Sequence, residues 1–524
     1  MTKRISMLAA LLAAGVSAAR AQAPESGESV PDEPAASPLP APGPAATADP
    51  APRAPRSARA AWLEMFARAY YPGRSGQVMV VPREGDMLTS PRADLRFMHG
   101  TPWDYDSRIP LVFWGQRYVR PGRKMERAVH QDVVPTLGRA LGLAVPGATG
   151  RVLASALKPG APAPRLVVLV VLDGFRADYL DRHASVLPNL TRLRREGASF
   201  ERAQANVLPT ITAVGHSTIA TGTDPRFHGI VANNSYDWTT GKVGEPFPRL
   251  SPDNLMVPAL ADLWSWETDG RAVVVAQSSS ASATALAGHG ACSFNGRRVA
   301  YASYASSSGR WETNPRCYRL PDHLATVDVR TLWEGNDGTW QGHPAATSEE
   351  VRRTAPFARF EGDALVSTIE KEEIGTDEVP DLVLANIKVV DTVGHAYGPD
   401  SEEIRMTVAE VDRQVGRIVE AASARAGRDG VLVAVTSDHG MPAEPPKGRA
   451  RRYHTEVITL VHDRFDPEKK LVSYFGAESG QLFIDRARAR ALGVRMEQIR
   501  DLLQGEPYIA AAFTEDEVRR VRLP

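Results

Sequence analysis

Three short stretches of this sequence carry carboxylates and imidazoles at spacings that suit a metal ion. In "LVVLVVLDGF", Asp173 closes an apolar run. In "DLVLANIKVVDTVGH", Asp391 and His395 stand four apart, and in "VTSDHG" Asp438 and His439 are adjacent. Mixed Asp/His ligation suits zinc or a similar borderline divalent ion. One Asp-His pair is commonplace in loops, but three such stretches, each following an apolar run, make a constellation. A fourth stretch, "LPTITAVGHSTIATG", puts Thr212 just before a helical run of small residues starting near Ala213. A hydroxyl there sits beside unpaired backbone N–H groups and a positive dipole end. That suits an alkoxide attacking a phosphoryl centre, with metal coordination lowering its pKa toward neutrality.

The elements that must position these residues alternate. The runs 165–175, 271–278, 381–391 and 430–440 are continuously apolar and read as buried parallel strands, with Asp391 and Asp438 delivered at strand ends. Asp391 and His395 are then expected in a tight turn beyond their strand. Between the strands, "SEEIRMTVAEVDRQVGRIVEAASARAG" repeats apolar residues at Ile404, Val408, Val411, Val415, Ile418 and Ala422. Ser401 can cap this helix and Gly427 can end it. "PNLTRLRREGA" is a shorter helix. Strand-helix alternation with buried strands predicts an α/β fold, helices flanking a mostly parallel sheet. Ligands in such sheets bind at the carboxyl ends of the strands, where the candidate residues fall.

Composition bounds the function. Apolar residues make up 43% and charged residues 24% of 524, the balance of a globular protein. Lys+Arg and Asp+Glu both number 62, so no net field draws the chain to a nucleic-acid polymer or an anionic membrane. Residues 1–23 read as a secretory signal: Lys3 and Arg4, an apolar stretch too short to span a bilayer, then Ala21-Gln22-Ala23. An exported protein, periplasmic or secreted and with no membrane span once mature, is expected. Residues 24–57 are Pro/Ala-rich and predict a disordered spacer, with order beginning near Ala61 and one catalytic domain over 58–524. Export makes pairing of Cys292 with Cys317 plausible, two free thiols being the alternative.

Taken together, "LVVLVVLDGFRADYL", "PNLTRLRREGASF", "LPTITAVGHSTIATG", "HGIVANNSYD", "DTVGHAYGPDS" and "VTSDHG" resemble the alkaline phosphatase superfamily. The nearest branch is the type I phosphodiesterase/nucleotide pyrophosphatase group with its alkaline phosphatase relatives. The resemblance runs from about Leu166 to the C-terminus and keeps the family's motif order. It implies two divalent ions. Asp173, Thr212, Asp438 and His439 would hold one; Asp391, His395 and a further His would hold the other. It also implies that Thr212 is the nucleophile, forming a phospho-threonine, and that Asn233 hydrogen-bonds a phosphoryl oxygen.

The chain departs from that pattern in two places. Monoesterases of this branch carry a Lys and an Arg, two apart, shortly before a Gly-His; here Ser279 and Ala281 stand there. A small-molecule phosphate ester is the expected partner, with phosphodiesters preferred. The alternatives are a broad phosphomonoesterase, with Lys447, Arg449, Arg451 or Arg452 as replacement cations, and a catalytically inactive binding module. Tyr236 and Trp238 offer rings for stacking on a leaving group, or for ordinary packing. Secondly, the relatives' remaining metal ligand is a His in a His-Gly-Thr/Ser turn near their C-terminus. Here "FMHGTPWDYDSRIPLVFWG", with His99, matches it near the start. This predicts a circular permutation: 58–158 equivalent to the family's C-terminal part, 159–165 a bridge, 166–524 the remainder. His99 is then expected beside Asp391 and His395, and strands near 76–82 and 108–114 within the same α/β domain.

Overall fold

A computed structural model describes residues 56–293, 299–333 and 337–523. The expected leader and nearly all of the Pro/Ala-rich spacer lie outside these residues. Order begins earlier than expected, at a helix spanning Arg56–Ala69, so Arg56 and Ser57 belong to that helix.

The centre is a nine-stranded sheet. Its spatial order is Arg310–Glu312, Val299–Ala305, Val274–Ser278, Asp381–Ile387, Leu166–Leu172, Val431–Thr436, Leu111–Trp114, Ala198–Gln204 and Gly122–Val129. The five strands from Val299–Ala305 to Val431–Thr436 run parallel. Leu111–Trp114 is inserted antiparallel to both its neighbours, and Arg310–Glu312 is an antiparallel edge. The expectation of a mostly parallel sheet flanked by helices therefore holds.

Leu166–Leu172 shows why the strands read as unbroken apolar runs. Val168, Val170 and Leu172 enter one core, with the helices Pro188–Glu196, Ala355–Lys371 and Glu402–Ala426. Val167, Leu169 and Val171 enter the other, with Val133–Leu141, Thr212–Thr221 and Leu260–Glu267. Both faces of each strand are covered, so no polar alternation survives. In Glu402–Ala426 the six expected apolar positions are fully buried, and the Ser401 hydroxyl accepts from the Ile404 amide.

A second sheet, antiparallel throughout, has the order Val472–Gly476, Gln481–Ile484, Val78–Pro82 and Ile509–Thr514. The strand expected near 76–82 thus lies here and not in the central sheet; only the one near 108–114 joins the parallel core. Val78 and Val80 pack under Val457, Val461, Ile499 and Leu503, while Met79 and Val81 meet Trp62, Phe66, Phe513 and Val518. The first helix is bound to the last part of the chain: Arg59 donates to Gln504 Oε1 and the Ala512 carbonyl at 2.9 and 2.8 Å. Cys292 and Cys317 form a disulfide. No helix among the described residues is long and apolar enough to cross a membrane.

Candidate active site

The strand Asp381–Ile387 does not end in Asp391. It turns at Lys388 into a helix, Val389–Tyr397, and Asp391 and His395 occupy consecutive turns of that helix, four residues apart. The tight turn read from the sequence is therefore helical, and the i,i+4 spacing puts carboxylate and imidazole on one face. Asp173 follows Leu166–Leu172, and Asp438 and His439 follow Val431–Thr436, the parallel neighbour of that strand. Two glycines let these elements close up. A Cβ on Gly174 would meet the Asp391 Cα and Cβ at 2.9 Å, and one on Gly215 would meet the Asp438 Cβ at 2.7 Å.

All seven metal-ligating candidates converge. His99, Asp391 and His395 form one group of possible ligand atoms, and Asp173, Asp438 and His439 another. His99 Nε2 lies 3.3 Å from Asp391 Oδ1, and its ring is 4.9 Å from that of His395 and stacked 3.6 Å from that of His439. Thr212 opens the helix Thr212–Thr221; its Oγ lies 3.3 Å from His439 Nε2. Asn233 Oδ1 accepts from the Ala213 amide at 2.9 Å, capping that helix and leaving its amide nitrogen for the cleft it lines.

The imidazoles are oriented from behind. Nδ1 of His99 bonds the Thr210 carbonyl, that of His395 the Phe97 carbonyl, and that of His439 the Gly440 carbonyl. A carbonyl only accepts, so each Nδ1 carries a proton, and in the neutral ring each Nε2 turns a lone pair on the centre. Asp391 Oδ1 and Asp438 Oδ2 are buried there without a hydrogen-bond partner. Acceptors thus face acceptors, an arrangement that a cation satisfies and hydrogen bonds alone do not. Burial and then the Asp438 carboxylate push Asp173 up to about 7, and burial holds His439 down to about 3 as a neutral ring.

The Lys388 ammonium was not anticipated. It lies 2.7 Å from Asp391 Oδ2 and donates at 3.0 Å to both Asp173 Oδ1 and Thr212 Oγ. The one sequence signal was a lone Lys at the end of a buried apolar run. Asp106 was also missed. It holds the His99-Gly-Thr turn, accepting on Oδ2 from the amides of Gly100 and Thr101 and from the Thr101 hydroxyl.

The ligand groups open into a cleft of about 380 Å³, which Arg92, Arg352, Arg353 and Glu478 also line. The basic run suspected at 447–452 is turned elsewhere: Arg451 pairs with Glu444, Arg452 with Glu456, and Arg449 lies near Asp86. Tyr236 and Trp238 pack edge-to-face on the hairpin Ser235–Asp237/Lys242–Gly244. Tyr236 lines a second cleft that shares Asn234 and Glu245 with the first. His216 and His228 bond protein partners within the core.

The family model for type I phosphodiesterase/nucleotide pyrophosphatase matches residues 167–476, more than half of the chain. The chain belongs to this family. As in the family at large, its chemistry is phosphate-ester hydrolysis. It is 26% identical over 428 residues to the alkaline phosphatase PafA of Elizabethkingia meningoseptica, covering 69% of this chain and 77% of the relative. It is 27% identical over 276 residues to a venom phosphodiesterase of Macrovipera lebetinus, covering 52% of this chain but 25% of that one. Among solved structures, wild-type PafA superposes with a TM-score of 0.55 at 20% identity, over 69% of this chain and 81% of PafA, a likeness of fold.

Proposed function

We propose that the protein is an exported phosphate-ester hydrolase that works through a phospho-threonine on Thr212, at a centre holding two divalent ions. Asp173, Thr212, Asp438 and His439 would hold one ion, and Asp391, His395 and His99 the other. Zinc best matches this mixed carboxylate and imidazole set. The observation that carries the reading is the convergence of three imidazole Nε2 atoms and two carboxylate oxygens without hydrogen-bond partners, Asp391 Oδ1 and Asp438 Oδ2, around the Thr212 hydroxyl. The leader-like residues 1–23 and the Cys292–Cys317 disulfide support export.

Bound ions would supply Lewis-acid charge at the attacking and leaving oxygens. The chain's own groups do the rest. The Lys388 ammonium, which donates to Thr212 Oγ, favours the deprotonated hydroxyl, whose proton leaves to solvent. Thr212 Oγ forms a bond to phosphorus as the ester P–O bond breaks, and the leaving alcohol takes up a proton. Water then attacks phosphorus, the Oγ–P bond breaks, and Thr212 regains its proton. Asn233 and the free amides of the Thr212 helix face the equatorial oxygens, where negative charge develops. Taken alone, Ser279 and Ala281, where related monoesterases carry cations, favour a phosphodiester or nucleotide-type substrate; the charges that other elements bring to the cleft, Lys388 beside Thr212 and Arg352 on its wall, oppose that preference and favour a phosphomonoester.

The test is Thr212→Ala, assayed on both ester classes with metal content measured in parallel. Turnover should fall on the order of a thousandfold or more, as when a nucleophile is removed, with at least one ion retained. Chelation should silence the wild type. An Ala variant near wild-type rates would falsify the phospho-threonine route.

A further inference from the structure

We infer that Lys388 and Arg352 together bind the doubly charged phosphoryl group of phosphate monoesters, and that monoesters are the preferred substrates. This rests on the reading of Thr212 as the attacking group. A monoester carries up to two negative charges on three non-bridging oxygens, a diester one charge on two, so added positive charge favours the monoester. Such charge is missing at Ser279 and Ala281, but other elements return it to the same cleft.

Lys388 stands at the turn between the strand Asp381–Ile387 and the helix Val389–Tyr397. Its ammonium donates to the Thr212 hydroxyl, so an oxygen on a phosphorus bonded to Oγ comes within its hydrogen-bonding reach. The backbone fixes this position: the amides of Lys388 and Val389 donate at 2.8 and 3.4 Å to the buried Glu361 carboxylate. Lys388 is thus a catalytic residue, touching the reacting atom.

Arg352 follows the short helix Ser348–Val351. Its Nη2 donates to the Ser279 carbonyl at 3.3 Å, which lays the guanidinium on the stretch where the cations are missing. Nη1 pairs with Glu349 at 3.1 Å, and Nε is a buried donor without a hydrogen-bond partner. The same wall holds Arg92 and Arg353, which share Asp94, while Arg353 also shares Glu349. Glu245 and Glu478 are the remaining acids of the cleft besides Asp391.

The experiment compares kcat/KM for an aryl phosphate monoester and a bis-aryl diester in zinc-loaded wild type, Arg352→Ala and Lys388→Met, with metal content and inhibition by inorganic phosphate measured on each. In either variant the monoester value should fall about 100-fold, the scale for losing one charge-stabilising group. The diester should fall clearly less, and inhibition by phosphate should weaken in step with the monoester. Lys388 touches two candidate ligands, so if Lys388→Met loses an ion, Arg352→Ala, whose side chain touches none, decides. Equal losses on both esters, no loss, or a wild type that favours the diester tenfold would overturn the inference. Failure of the underlying reading shows differently, as an active Thr212→Ala.

Discussion

A histidine ligates through whichever ring nitrogen its surroundings leave free. In His99, His395 and His439 the Nδ1 atoms are all bound to backbone carbonyls, so the choice is made before any ion arrives. His99 is the most telling of the three, being about 290 residues from its partners in sequence. His99→Ala should lower metal content by about one ion per chain and reduce turnover by more than the 10–100-fold typical of losing an outer-shell group. Unchanged metal content by plasma mass spectrometry would remove His99 from the ligand set. At this scale the sequence was readable where two chemical groups share a spacing, as in "DTVGH" and "SDHG". Lys388 was not, because a single cation after an apolar run has no partner in sequence; Asp173 and Thr212 meet it only through folding.

Secondary elements set the angles at which these groups arrive. Strand ends alone would have splayed Asp391 and His395; one helical face brings them together. The apolar run through "NIKVVD" hid that change, since buried strand and buried helix look alike over a few residues. The His99 turn has no regular element to hold it and depends on Asp106, a fully buried acid that gathers three donors on one oxygen. Burial raises its pKa to about 6, although His99 opposes the shift. Asp106→Ala should weaken metal affinity and turnover roughly 10–100-fold, as for other outer-shell supports. Titrating the metal-free variant with zinc checks this, and an affinity equal to wild type would show that the turn holds itself.

For the molecule as a whole we propose that the chain order is a circular permutation of the family's, with 58–524 as one catalytic domain. Leu111–Trp114 inserts beside Val431–Thr436, Val78–Pro82 pairs with strands from the last 50 residues, and Arg59 is bonded near the C-terminus. The motif order from Leu166 onward is what suggests this in the sequence; the second sheet was not legible there, because its strands are short and their partners remote. A chain opened within 159–164 and closed by a flexible linker from 523 to 56 should fold with the same metal content and kcat/KM within about tenfold of the parent, since termini that lie close tolerate such rejoining. An insoluble or metal-free product would count against the permutation.

The placement of Val78–Pro82 has a consequence for how the protein is made. The strand is buried along its whole length, yet both its neighbours, Gln481–Ile484 and Ile509–Thr514, leave the ribosome about 400 residues after it. During synthesis and any passage across a membrane it is an apolar edge with nothing to pair against. The small sheet, and with it Glu478 in the cleft wall, assembles only after the chain has been made as far as Thr514. The cleft therefore stays incomplete for as long as the nascent chain stops short of these strands.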